Sequence, residues 1–313
     1  MTDPPKQVGE GVIADLSYRG YDGPLKTHVL RWWPVAKTEL RLALRKRAFW
    51  VVSILCAFPY LVVGAQLYFQ SLVPGGLGTL MAGQSFASRF YNAYSGALFQ
   101  VFLMALIVGA PTIASDNQAN ALQILLAKPI TKLDYVVGKW AGVFLILAFV
   151  SMVPGLMLYL FCLGAFANQG FMEQAGLLLV QVLAAGIIPP VVHASLVVGI
   201  SARSKAPRMA TAGYAAIYFI LAAVSQVAAA MTRYADPADS VTLGHLSISG
   251  ALAGIGQHIY NTRPGLMGAP MVWHGHQLPR PELLPLVALA AALSALGIVA
   301  ARSHVRAVEV VRD

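Results

Sequence analysis

AYSGALFQVFLMALIVGAPTIA, residues 93–114, runs for 22 positions without a Lys, Arg, Asp or Glu, and SDNQANALQILLAKPITKLDYVVGK, residues 115–139, follows it directly. A membrane-spanning helix needs about 20 mostly apolar residues. The first string has that length, and another apolar run, Val136–Phe161, begins before the polar interval has ended. Working outward, Ala48–Phe69 precedes the pair, and Gly176–Ile200, Met209–Met231 and Leu283–Ala301 follow it, which makes six candidate spans. Within them Lys139, near a predicted end, is the only Lys, Arg, Asp or Glu. Helices whose backbone groups are satisfied internally, with charges held at the interfaces, meet the demands of a bilayer. Composition agrees: 58% of residues are hydrophobic and 11% charged, where a soluble domain carries roughly a quarter charged. The expected fold is an all-α polytopic membrane protein, with an arm and helix over 1–47, a six-helix domain over 48–301 and a tail over 302–313.

Orientation follows from the basic residues. Nine Lys and Arg precede the first span; Lys128, Lys132 and Lys139 surround the second connection; Arg203, Lys205 and Arg208 lie in the fourth; Arg302, Arg306 and Arg312 follow the last span. The opposite side receives Arg89, Arg233, Arg263 and Arg280. Basic residues of short loops stay on the cytoplasmic side, so a multi-pass protein of the cell inner membrane with both termini in the cytoplasm is expected. Topology then accounts for most of the net charge of +9, and nucleic-acid binding is not expected. The first thirty residues hold no apolar core of signal-peptide length, so the first span is expected to direct insertion. Cys56 and Cys162 fall in or at the edge of spans, where a thiol packs as a small apolar group.

Residues 1–30 carry Pro4, Pro5, Gly9, Gly11, Gly20, Gly23 and Pro24 without an apolar period, which reads as an irregular arm. Beyond it Trp32, Val35, Ala36, Leu40 and Ala43 share one helical face, while Lys37, Arg41 and Arg45 recur every fourth residue on the other. The pattern predicts a helix in the headgroup plane, anchored by Trp32 and Trp33. Glu39 interrupts the apolar face, so it pairs with a basic residue or faces a partner or a neighbouring span. In the 115–139 interval, Ser115 and Asp116 are good helix caps. Ala119, Leu122, Leu125 and Leu126 form a short apolar edge, and Pro129 stops the helix. Thr131 and Asp134 then have the spacing of a capping box with Asp in the acidic position. A short helix over about 115–128, a sharp turn and a new span are expected. An amphipathic loop resting on the bilayer is the plainer alternative.

This stretch, ASDNQANALQILLAKPITKLDYVVGKWAG, resembles the signature region of ABC-2-type exporter permeases. That pattern has an acidic residue and a Gly-Thr-Leu step, a Leu pair, Pro-Ile or Pro-Val, Ser-Arg or Thr-Arg, and a Gly-Lys opening the third span. Here the elements are Asp116, Asn120-Ala121-Leu122, Leu125-Leu126, Pro129-Ile130, Thr131-Lys132 and Gly138-Lys139. Asp116 stands for the usual Glu, and Asn120-Ala121 for Gly-Thr. The resemblance implies a coupling helix docked on a separate ABC ATP-binding subunit, with Leu122, Leu125, Leu126 and Lys128 at the contact, Asp116 fixing the first turn and Pro129 ending it. It implies that the helix bearing Trp32, Glu39, Arg41 and Arg45 is the connecting helix. It further implies two permease protomers, identical or related. ATP and Mg would be bound by the partner subunit, since this chain has no G-x-x-x-x-G-K-[ST] loop; no catalytic residue, cofactor or metal is expected on this chain.

Pro59, Pro111, Pro154 and the pair Pro189-Pro190 interrupt four spans, as hinges or as packing adjustments. The paired prolines, with His193 one turn on, are the stronger candidate for a hinge or transport path. Gly138-x-x-x-Gly142 allows close helix approach. The last connection, 232–282, is long and apolar enough to be structured, with short helices expected over Leu243–Ile259 and an extracytoplasmic accessory protein as a conceivable partner. His245, His258, His274 and His276 lie there without the carboxylate or thiol cluster that would complete a metal site. A secondary transporter would need midplane ionisable groups, and only His193 is available; an intramembrane enzyme would need converging catalytic groups. A non-transporting membrane anchor for an ATPase stays open, and the cargo is unidentified, lipid-like or amphipathic molecules suiting so apolar a bundle.

Overall fold

A computed structural model describes residues 30–72, 85–121, 130–167, 171–232, 237–263, 265–266, 269–270, 272–273, 276–277 and 279–304. Contacts divide the chain into 1–30 and 31–313, and the architecture below is that of the second unit. Among the described residues, six helices are long and apolar enough to cross a membrane. After α1 (Trp33–Leu44) come α2 (Arg47–Leu72), α3 (Phe86–Gln118) and α4 (Lys132–Phe166), spans 1 to 3. A single turn, α5 (Phe171–Gln174), leads to α6 (Leu178–Arg203) and α7 (Pro207–Thr232), spans 4 and 5. Helices α8 (Pro237–Gly244) and α9 (Ile248–Ile259) precede span 6, α10 (Leu283–His304). Two two-residue hairpins, Gly265–Leu266 with Ala269–Pro270 and Val272–Trp273 with His276–Gln277, lie between α9 and α10.

Spans 2 and 4 form the centre, with 67% of their most apolar windows buried against 11% for span 5 and 17% for span 6. Small residues set the tightest crossings. A Cβ on Gly199 would strike the backbone of Gly297, and one on Gly297 the backbone of Ser195, so α6 and α10 meet main chain to main chain. Phe102 of α3 stacks on Tyr218 of α7 with centroids 3.8 Å apart. Cys56 and Cys162 are buried free thiols.

The prolines behave differently from one another. Pro59, Pro154, Pro189 and Pro190 lie inside helices that continue through them. Pro111 instead follows a π-helical turn at Ala105–Gly109. Proline has no N–H to offer the carbonyl four residues back; here that carbonyl, on Ile107, accepts from Lys46 Nζ at 3.3 Å. Ser201 of α6 repairs the following turn: its hydroxyl donates to the Ala110 carbonyl at 2.7 Å and accepts from the amides of Ile113 and Ala114, both at 2.9 Å. Asn117 Nδ2 then donates to the carbonyls of Ala202 and Ser204, closing the end of α6.

Three boundary expectations change. Ser115 and Asp116 cap nothing; they belong to the last turns of α3, which runs to Gln118, and the chain breaks at Asn120, whose φ is 50°. Asn tolerates that left-handed conformation better than most residues. Span 2 also begins earlier than expected, at Phe86, so Arg89 sits inside a helix and is buried rather than in a loop. Lys139 lies two turns into α4.

Candidate functional site

The capping box at the start of α4 forms as its spacing predicts. Thirteen-atom helical rings leave the first N–H groups without partners; the Asp134 amide donates to Thr131 Oγ1 at 3.1 Å and the Thr131 amide to Asp134 Oδ2 at 3.0 Å. The box fixes where α4 starts, and thereby the direction of Tyr135, Gly138, Lys139 and Gly142 on its first two turns.

Gly138 and Gly142 make a groove into which α1 settles. A Cβ on Gly138 would lie 2.6 Å from Val35 Cβ and 2.7 Å from the Trp32 carbonyl oxygen, and one on Gly142 2.7 Å from Glu39 Cβ. The buried positions of α1 are Ala36, Glu39 and Ala43, with Val35 and Leu40 packed beside them. The apolar stripe expected to face lipid therefore faces span 3. Its physical reason is the pair of glycines: with no side chain on α4, a helix backbone approaches closely enough for alanines to pack.

That approach carries Glu39 to Lys139. The Lys139 ammonium lies 2.6 Å from Glu39 Oε1 and 2.7 Å from Asp116 Oδ2, and donates to the Thr112 carbonyl at 3.0 Å. Tyr135 donates its hydroxyl to Asp116 Oδ2 at 2.6 Å, and its ring lies 5.5 Å from the ammonium. Glu39 and Lys139 are almost wholly buried, Asp116 less so. One ammonium thus bridges two carboxylates from three pieces of chain: α1, the end of α3 and the start of α4. Lys46 stands nearby; burial lowers its pKa from the ordinary lysine value, and the Glu39 charge opposes that shift.

The sequence-derived candidates divide accordingly. Glu39 and Asp116 meet at the junction, Asp116 as an ion-pair partner and not as a cap. Trp32 is the residue before α1 and half-buried, its ring edge-on to Trp33, while Arg41 and Arg45 are exposed. Leu122, Leu125, Leu126, Lys128 and Pro129 lie outside the described residues. Pro189, Pro190 and His193 are brought together elsewhere, buried in α6, where the His193 ring shares a hydrogen bond with the Tyr214 hydroxyl of α7. No part of that pair reaches the junction. His245 and His258 donate to the carbonyls of Val241 and Pro281; the side chains of His274 and His276 are outside the described set. Sequence reasoning passed over Lys139 as the hub, together with Tyr135 and Thr112. The signal was present, since the one charge within the six spans as expected from sequence has to find opposite charges.

Chemically the junction is a structural clamp: it holds buried ions by pairing and presents no nucleophile or open acid–base pair. Segment 117–131 leaves from one of its sides, at Asp116, and returns at the other, at Tyr135. The family profile described as ABC-2 family transporter protein matches residues 33–261, which includes α1, the junction and five spans. Two relatives, each named probable ABC transporter permease protein NosY, are similar over shorter stretches. The Pseudomonas aeruginosa protein is 30% identical over 121 residues, 39% of this chain and 42% of that protein. The Stutzerimonas stutzeri protein is 30% identical over 125 residues, 39% of this chain and 41% of that one. The chain thus matches about two fifths of the length of these relatives.

Proposed function

The chain belongs to the ABC-2 transporter family, and on that premise we propose that it is the membrane permease subunit of an ABC exporter. In this reading a separate ATP-binding subunit supplies ATP and Mg chemistry and docks on the segment between spans 2 and 3. A second permease protomer completes the path, and the complex sits in the inner membrane with both termini of this chain in the cytoplasm. The cargo is left at the level of class, an amphipathic or lipid-like molecule moved outward by alternation of the bundle.

The observation that carries the reading is the Glu39–Lys139–Asp116 junction. A force applied to the 117–131 segment reaches Asp116 at one end and the Thr131 box at the other. Both are rigidly joined to α4, and through Glu39 to α1, so a displacement of the segment moves span 2, span 3 and α1 as one body. Packed elements of this kind transmit motion as discrete shifts. The basic loops, on the side that carries most Lys and Arg, support the cytoplasmic placement. Replacing Leu125 and Leu126 together by Asp is expected to abolish co-purification of the ATP-binding subunit, with the permease still inserted. Full recovery of the ATPase with that variant would overturn the docking assignment. ATP-dependent flux in inverted vesicles, absent with an ATPase mutated in its phosphate loop, tests transport itself.

A further inference from the structure

The clamp has a consequence for the outside of α1. Residues 31–47 read RWWPVAKTELRLALRKR, and their only carboxylate is Glu39. Because Glu39 is turned inward onto Lys139, the exposed charges of this stretch are cations alone: Arg31, Lys37, Arg41, Arg45, Lys46 and Arg47. At about 100° per residue, Lys37, Arg41 and Arg45 lie opposite the Ala36–Glu39–Ala43 face that is seated on α4. Large apolar side chains flank the cations, with Trp33 42%, Leu42 50% and Leu44 46% exposed. The patch continues onto span 1, where Trp50 is 53% exposed while its indole N–H donates to the Leu44 carbonyl at 3.0 Å. Cations bordered by Trp and Leu, continuous with the lipid-facing side of a span, match the headgroup and upper acyl region of a leaflet.

We propose that the outward face of α1 is a docking site for anionic phospholipid headgroups, with Lys37, Arg41 and Arg45 contacting phosphate and Trp33, Leu44 and Trp50 lying against the acyl boundary. The site depends only on the spans and on the burial of Glu39, so it stands or falls separately from the ATPase reading. A cation near a charged bilayer surface contributes about 1 kcal/mol, or roughly fivefold in affinity. The purified full-length protein, equilibrated with mixed phosphatidylglycerol and phosphatidylcholine micelles, is examined by native mass spectrometry for retained lipid. Wild type is expected to retain phosphatidylglycerol in preference, and the preference to collapse at about 1 M salt, where the screening length is roughly 3 Å. The Lys37→Gln/Arg41→Gln/Arg45→Gln variant is expected to lose the preference by more than tenfold, whereas Arg203→Gln/Lys205→Gln/Arg208→Gln, in another basic connection, leaves it in place. Equal retention of both lipids by wild type overturns the proposal without any variant. So does a preserved preference in the α1 variant, or an α1 variant that keeps the preference and loses a bound protein partner instead.

Discussion

The two ends of the bundle are closed by different chemistry. At the end bearing segment 117–131, one ammonium holds two carboxylates from α1 and α3, beside the neutral bonds of Ser201 and Asn117. At the other end α9 is seated on the spans by neutral bonds: Tyr94 donates to the Leu252 carbonyl at 3.0 Å, Gln257 Nε2 to the Tyr91 hydroxyl at 3.1 Å, and Gly256 lies against the Tyr94 ring. Neutral hydrogen bonds each contribute about 1 kcal/mol net, and a buried neutral group left unsatisfied costs about 1–3 kcal/mol. A buried ion left without its partner costs more, about 3–5 kcal/mol. The ionic end is therefore the more costly to break, and the neutral end loses less for each partner removed.

The largest effect follows from that contrast. Lys139→Met is expected to lower stability by about 3–5 kcal/mol, because Glu39 and Asp116 are left facing each other with no cation between them. Tyr94→Phe, at the neutral end, should cost about 1 kcal/mol. Thermal midpoints of both variants in the same detergent measure the gap, and equal shifts would erase the distinction between the two ends. The triple variant Lys139→Met/Glu39→Gln/Asp116→Asn should recover most of the loss, since no uncompensated charge remains.

A middle-sized effect separates charge from shape at the same end. Gly142→Val places a Cβ where Glu39 Cβ lies only 2.7 Å away, and overpacking of this kind costs about 1–3 kcal/mol. Here α1 must lift from α4, taking Glu39 with it. Amide hydrogen exchange is expected to rise across 35–43 while that of α9 stays unchanged. A uniform rise over the whole molecule would mean that α1 is not separately seated.

How much of this was legible beforehand depends on what each residue is solvated by. The six spans were readable because hydropathy measures exactly the property lipid selects, and Ala48–Phe69 against the observed Arg47–Leu72 differs only at the ends. Span 2 was read short by seven residues at its start, Ala93 for Phe86, because Arg89, Tyr91 and Asn92 look unsuited to lipid; protein covers that part of the helix instead, with Arg89 and Tyr91 buried. The same confusion of solvents put the α1 stripe against the bilayer. An apolar face says that water is excluded and does not say whether lipid or another helix excludes it. Glu39 on that stripe was the readable objection, and Gly138-x-x-x-Gly142 was the readable partner surface. The Thr131 box was legible outright, since it is local in sequence, whereas the Lys139 junction joins residues 100 positions apart and no local pattern encodes it.

The smallest effect tests whether the neutral end is neutral by necessity. His245 is packed between α8 and α9, donating from Nδ1 to the Val241 carbonyl at 2.7 Å. Burial lowers its pKa from the ordinary value of 6.5, the Val241 carbonyl pulling weakly the other way. Above that ordinary value both folded and unfolded states hold a neutral ring, and the full stability is present. As pH falls below it the unfolded chain binds the proton first, so stability declines until the lower folded pKa is reached. Between about pH 7.5 and about pH 5.5, where histidine titrates, the wild-type thermal midpoint should therefore fall more than that of His245→Gln. Protection of the α9 amides, taken relative to the intrinsic exchange rate at each pH, should fall over the same interval in wild type alone. Parallel pH profiles for the two proteins would mean that the charged ring is accommodated there, and that the end sealed by α9 tolerates ions after all.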